Sequence, residues 1–157
     1  MGLVLAVPGV AYVISPLRKK EGEGSFETLT RLSQLDAGVP RSFAIIKERH
    51  DAWVKYPREP VGSVWLIRQP AGADPRVIAF TTECPHLGCA VNLSADQKGF
   101  LCPCHTSSFD MGGKPTNPIP PRPMDRLQVE LSDGDDPEIR VKFERFRTQS
   151  EEKIPLV

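Results

Sequence analysis

A chain of 157 residues, 39% hydrophobic and 25% charged, has the make-up of an ordinary globular protein with one domain and a short appendage. Its formal net charge is zero and its few aromatics (7%) interleave with no basic stripe, which argues against duplex or single-strand nucleic-acid binding. Proline is the outlier, with 16 residues against a usual share of about 5%.

Residues 2–14 (GLVLAVPGVAYVI) carry no charge, and Arg18, Lys19 and Lys20 follow. A full membrane span takes about 20 apolar residues, so the run is short for one. No basic region precedes it, as a secretory signal would require. A buried core helix or strand is the alternative. Because the run is apolar on all sides, terminal, and followed by a polar stretch, residues 1–17 are expected to be the outer part of an N-terminal membrane helix that begins before Met1. The basic flank alone would place residues 18–20 in the cytoplasm. Residues 18–40 are polar and broken by Gly22, Gly24 and Gly38. They are expected to form a tether or a solvated lead-in, with a helical turn or two over Thr28–Leu35.

From Arg41 the texture changes to short runs of β-branched and aromatic residues. Strands are predicted at Ser42–Lys47, Gly62–Arg68, Arg76–Thr81, Gly99–Cys102, Arg126–Leu131 and Glu138–Phe146. Leu127, Val129 and Leu131 alternate with polar residues, as do Ile139, Val141 and Phe143, which is the period of half-buried strands. Turn residues separate the runs at 70–75, 111–114 and 133–136. An antiparallel sandwich or small barrel over 41–147 follows, with a tail at 148–157. Trp53, Trp65 and Phe80 are read as core. No nucleotide-binding or hydrolase motif is present in the sequence.

All four cysteines and two of the three histidines lie in two loops, Cys84-Pro85-His86-Leu87-Gly88-Cys89 and Cys102-Pro103-Cys104-His105-Thr106-Ser107-Ser108-Phe109. His50 stands apart. Thiolates and imidazoles at short spacing suit zinc, copper or an iron–sulfur cluster. Two disulfides would leave His86 and His105 without a role. A tetrahedral zinc site takes four ligands, and six candidates are present. An all-cysteine cluster again idles the histidines. A fourth reading, which the residues favour, divides them: Cys84 and Cys102 on one iron, His86 and His105 on a second, and Cys89 bridged to Cys104. Neutral imidazoles in place of thiolates make such a cluster less negative and a better electron acceptor. Pro115, Pro118, Pro120, Pro121 and Pro123 then crowd into a stiff loop.

These two loops resemble the cluster-binding loops of Rieske iron–sulfur proteins, specifically the subunit of cytochrome bc-type quinol–cytochrome c oxidoreductases. CPHLGC and CPCHTSSFD match position by position, and residues 118–127 (PIPPRPMDRL) resemble the family's proline loop. The likeness runs from about Ser42 to Phe146, and the apolar run and tether look like the family's single membrane helix and hinge. The resemblance implies a mainly β fold: a Rieske-type antiparallel β sandwich with a small cluster-binding subdomain (about 82–124), preceded by an N-terminal apolar transmembrane helix. It implies one [2Fe-2S] cluster held by Cys84, His86, Cys102 and His105, with Cys89 and Cys104 as the disulfide pair that Rieske ferredoxins and ring dioxygenases typically lack. Leu87 looks like an apolar shield, Gly88 permits a tight backbone path, and Ser107 occupies the position of a serine that donates to cluster or ligand sulfur.

The chemistry implied is quinol oxidation at His105 and His86, where electron and proton leave together. A histidine titrates near physiological pH, and its basicity follows the charge of the iron it binds. The partners implied are a cytochrome b subunit, a c-type cytochrome, quinol and a membrane, with no nucleic acid. A disulfide needs an oxidising space. The head is therefore expected on the periplasmic side of the bacterial cytoplasmic membrane, reached by twin-arginine export that overrides the basic flank. One position departs from high-potential members: Phe109 stands where they carry a tyrosine donor. A lower potential, suited to menaquinol, is expected. Rival readings are the small Rieske subunit of an arsenite oxidase, a zinc-binding module, and a soluble ferredoxin.

Overall fold

The computed structural model describes residues 26–48, 50–51 and 54–156. The anchor expected at 1–17, the first part of the tether and Trp53 lie outside the described residues. Among those described, no helix is long and apolar enough to cross a membrane.

Among the described residues eleven strands follow in order: β1 Phe26–Arg31, β2 Arg41–Lys47, β3 His50–Asp51, β4 Val54–Lys55, β5 Glu59–Arg68, β6 Val77–Thr81, β7 Asn92–Leu93, β8 Gly99–Leu101, β9 Ser108–Asp110, β10 Arg126–Leu131 and β11 Glu138–Lys142. The main sheet has the order β1-β11-β10-β6-β5-β2, and each pair in it is antiparallel. Its edge strands approach each other, with the Lys47 ammonium 3.7 Å from the Glu27 carboxylate, so the sheet curls toward a barrel. A second sheet, β7-β8-β9, carries the loops, and β3-β4 is a short hairpin that includes His50. The fold is thus mainly β, as expected, and each of the six predicted strands is present, Arg126–Leu131 with the same ends and the other five with ends shifted by one to four residues.

Residues from 26 onward do not behave as a tether. β1 pairs with β11 along the edge of the main sheet. The turn expected over Thr28–Leu35 is strand through Arg31 and one 3-10 turn at Leu32–Gln34. Leu29, Leu32 and Leu35 pack into the core, while Ser33 donates through both its N–H and its hydroxyl to Asp136 at 2.9 Å. The apolar content of residues 26–35 is Phe26 and three leucines among polar residues, too sparse to read as a strand before its partner is known.

Two cores sit on opposite faces of β5 and β6, and the alternation of side chains along a strand separates them. Val64, Leu66, Val77 and Ala79 face one core with Ile45, Leu127, Ile139, Val141 and Phe143. Trp65, Ile67, Ile78 and Phe80 face the other, with Val91, Phe100, Phe109, Met124 and the two cysteines Cys84 and Cys102. Gly62 makes room for the first core, because a Cβ there would lie 2.4 Å from the Phe143 ring. Trp65 ties the layers together, its ring 5.5 Å from that of Phe100 and its indole N–H donating to the Val91 carbonyl at 3.0 Å. The loops are therefore mounted directly on the back of the main sheet.

Candidate metal centre

The first loop leaves β6 through the buried threonines Thr81 and Thr82, and the second spans β8 to β9. Both are built alike. The Cys84 N–H donates to the Cys89 carbonyl and the Cys102 N–H to the Ser107 carbonyl, each at 2.8 Å and each spanning the same number of residues. Gly88 and Thr106, at matching positions, have left-handed backbones with φ of 78° and 59°. Each loop thus opens on a cysteine held at its base and turns its following residues outward.

Four predicted residues come together from the two loops. Cys84 and Cys102 are free thiols, 1% and 2% exposed, packed in the core beneath. His86 and His105 lie above, their rings 5.0 Å apart and nearly perpendicular. His105 is exposed, and Leu87 at the tip of the first loop is 42% exposed. Cys89 and Cys104 form the disulfide between the loops. Burial pushes the Cys84 thiol up, opposed by the His86 backbone N–H and the Ser107 hydroxyl, while the neighbouring Cys102 thiol pushes it up again.

Two buried polar atoms lack a partner among the described residues, His86 Nδ1 and Ser107 Oγ. Ser107 is fully buried, and though out of hydrogen-bonding geometry its hydroxyl lies near enough to Cys84 to favour the thiolate. An unpartnered buried donor or acceptor costs about 1–3 kcal/mol. Both sit where a bound metal group would use them, His86 Nδ1 as a ligand and Ser107 Oγ as a donor to sulfur. The spacing also speaks against a single ion. Bonds of about 2.0–2.3 Å to one tetrahedral zinc draw its ligand atoms within about 4 Å of one another. Cys84, His86, Cys102 and His105 do not gather so; among the described residues the trio within 4.8 Å is Cys89, Cys102 and Cys104, two of which are spent in the disulfide. Two buried thiols beneath and two imidazoles above form a donor set that would fit a group with two metals.

The proline stretch covers the second loop. The Asn117 amide donates to the Thr106 carbonyl at 2.7 Å, and the Met124 N–H to the Gly113 carbonyl at 2.9 Å. At its end Arg122 and Asp125 form a two-pronged ion pair, 2.9 and 2.7 Å, with both side chains about 5% exposed or less. Asn117, Arg122 and Asp125 carried no individual role in the sequence reading. The i, i+3 opposite charges amid prolines were the available signal. Phe109, at 2% exposure, packs in the same core as Cys84 and Cys102.

Residues 27–129 match the Rieske [2Fe-2S] domain. The chain is 28% identical over 138 residues to the menaquinol:cytochrome c reductase iron-sulfur subunit of Bacillus subtilis, covering 85% of this chain and 78% of that one. It is 36% identical over 67 residues to the cytochrome b6-f complex iron-sulfur subunit of Trichodesmium erythraeum, 41% of this chain and 36% of that one. Among solved structures, a quaternary ammonium Rieske monooxygenase superposes with a TM-score of 0.52 at 16% identity, over 76% of this chain and 32% of that one, a likeness of fold alone.

Proposed function

This chain belongs to the Rieske [2Fe-2S] domain family, and from that premise we propose that it is the iron–sulfur subunit of a menaquinol:cytochrome c reductase. The family's cofactor is one [2Fe-2S] cluster, which when bound supplies a one-electron acceptor. Cys84 and Cys102 would hold one iron, and His86 and His105 the other. The observation that carries the reading is the extent of the likeness. It runs through 85% of the chain to a subunit of that description, with the disulfide-locked pair of loops inside it.

Each residue has a definite task in this reading. The buried thiols sit in an apolar core that keeps water from the cluster's inner side. Ser107 supplies a hydroxyl to sulfur, favouring the more negative reduced state. His105, exposed at the loop tip, accepts a hydrogen bond from the quinol hydroxyl and receives its proton as the electron leaves. Leu87 stands beside the histidines as apolar surface against which a quinone ring and a cytochrome b subunit pack. The electron then passes to a c-type cytochrome. A disulfide calls for an oxidising compartment, which supports a head outside the cytoplasmic membrane, with residues 1–17 read as its anchor and the residues before 26 as its tether.

The test uses the full chain in its complex. Menaquinol should reduce the cluster and drive cytochrome c reduction, and His105→Ala should abolish both. Reduction by menaquinol at unchanged rate in that variant would exclude the histidine route.

A further inference from the structure

The C-terminal segment turns back on the fold after β11. Arg147 N–H donates to the Ile154 carbonyl at 2.9 Å and Leu156 N–H to the Arg145 carbonyl at 2.8 Å, closing a small hairpin. The turn lays residues 145–150 along the first loop. Arg145 Nε donates to Glu83, the residue before Cys84, at 2.7 Å. Gln149 N–H donates to the Pro85 carbonyl at 2.9 Å, between Cys84 and His86. A Cβ on Gly88 would stand 3.6 Å from Thr148 Cγ2. From the far side, the buried Arg122 uses two nitrogens on Asp125 and gives its third to the Ser150 carbonyl at 2.6 Å.

These contacts differ in weight. Arg145 is 58% exposed, so its pair with Glu83 is screened by solvent. Arg122 is buried, and each of its three nitrogens donates a hydrogen bond. Gln149 has a φ of 56°, a backbone state a non-glycine residue keeps only where its surroundings hold it there. The strain sits at the residue whose N–H reaches the loop. The second loop has Asn117 and the proline stretch over it. The first loop has this segment instead.

We propose that residues 147–150 are a positioning strap for the first loop, with Gln149 holding Pro85 and Arg122 fastening the strap to the proline stretch through Ser150. The proposal rests on the reading of Cys84 and His86 as cluster ligands: the strap fixes Pro85, the residue between them, and so would steady the two side chains where each binds its own iron. Strap residues act through the loop and do not touch the reacting atoms.

The test compares Gln149→Pro and Gln149→Gly in the full chain. Proline lacks the N–H and cannot adopt a positive φ, whereas glycine keeps both. In Gln149→Pro, amide exchange at Cys84 and Gly88 should quicken about fivefold, the ratio one net hydrogen bond implies. Its reduced cluster should give broadened paramagnetic resonance lines and lose iron to a chelator faster by a similar factor. Gln149→Gly should match the wild type in all three. Arg122→Lys keeps a cation beside Asp125 but gives up the fork that reaches Ser150, and should move the readouts the same way by less. Asp136→Ala, which weakens the main sheet elsewhere, should move none of them. Wild-type behaviour in Gln149→Pro and Arg122→Lys, or an equal response in Asp136→Ala, would overturn the strap. A wild-type chain without the cluster signal would sink the ligand reading, and the amide exchange would still decide the strap.

Discussion

Gly88 and Thr106 hold equivalent places in two loops, each following a free cysteine by the same interval and each in left-handed backbone, at φ 78° and 59°. The same geometry is met once by a residue without a Cβ and once by a β-branched one. Left-handed backbone costs an ordinary residue about 1–2 kcal/mol. Gly88→Ala should therefore lose about 1 kcal/mol, since its new Cβ meets only Thr148 at ordinary contact distance. Thr106→Gly should stay within about 0.5 kcal/mol of wild type, relieved strain offsetting the added freedom of the unfolded chain. Urea unfolding of the full chain measures both, and a larger loss in Thr106→Gly than in Gly88→Ala would contradict the equivalence.

Cys89 and Cys104, 15 positions apart, join the two loops. Replacing both by serine should cost about 2–4 kcal/mol, mostly through the unfolded chain. Wild-type protein in strong reductant should lose a similar amount, while the double variant should not respond to reductant. A melting temperature of wild type indifferent to reductant would count against the bridge as a loop lock.

Phe109 shares its core with Cys84 and Cys102, so a hydroxyl added to its ring enters the same buried core as the two thiols. Phe109→Tyr should raise the midpoint potential of the cluster, because a further donor favours the more negative reduced state. A redox titration of the two proteins gives the sign. No change, or a fall, would remove Phe109 as the tuning position.

Asp136 is held below the usual carboxylate range, first by the Ser33 N–H, then by the Ser33 hydroxyl, with Arg31 and Arg68 adding smaller effects. A depressed folded value means stability that is complete above the unfolded value of about 3.9 and is lost as pH falls through the folded one. Asp136→Ala should thus be less stable than wild type at neutral pH, and the gap should close in acid. Urea midpoints measured across that range test it; a gap that persists unchanged at the acid end would contradict the assignment.

Much of this was legible in the sequence, and the reasons are local. The alternation in 127–131 and 139–143 is visible because one face of each strand is solvated. Proline and glycine mark the turns between them. The six loop residues announced themselves because thiols and imidazoles at that spacing have few other uses. β1 was hidden because its partner β11 lies more than a hundred residues away and its own apolar residues are only Phe26 and Leu29. The division of β5 into two faces was legible only as a nearly continuous apolar run, since both faces are covered. Arg122 could be read as a charge amid prolines, but its joint hold on Asp125 and Ser150 depends on a chain reversal with no sequence signature.

The central claim is that the two thiols and two imidazoles hold a single two-iron cluster. Iron and acid-labile sulfide analysis of the full chain, combined with a redox titration followed by paramagnetic resonance, tests it most directly. About two irons and two sulfides per chain, with a midpoint between roughly −150 and +300 mV, is the predicted result. Stoichiometric zinc without labile sulfide, or a midpoint near about −400 mV as in all-cysteine clusters, would contradict it.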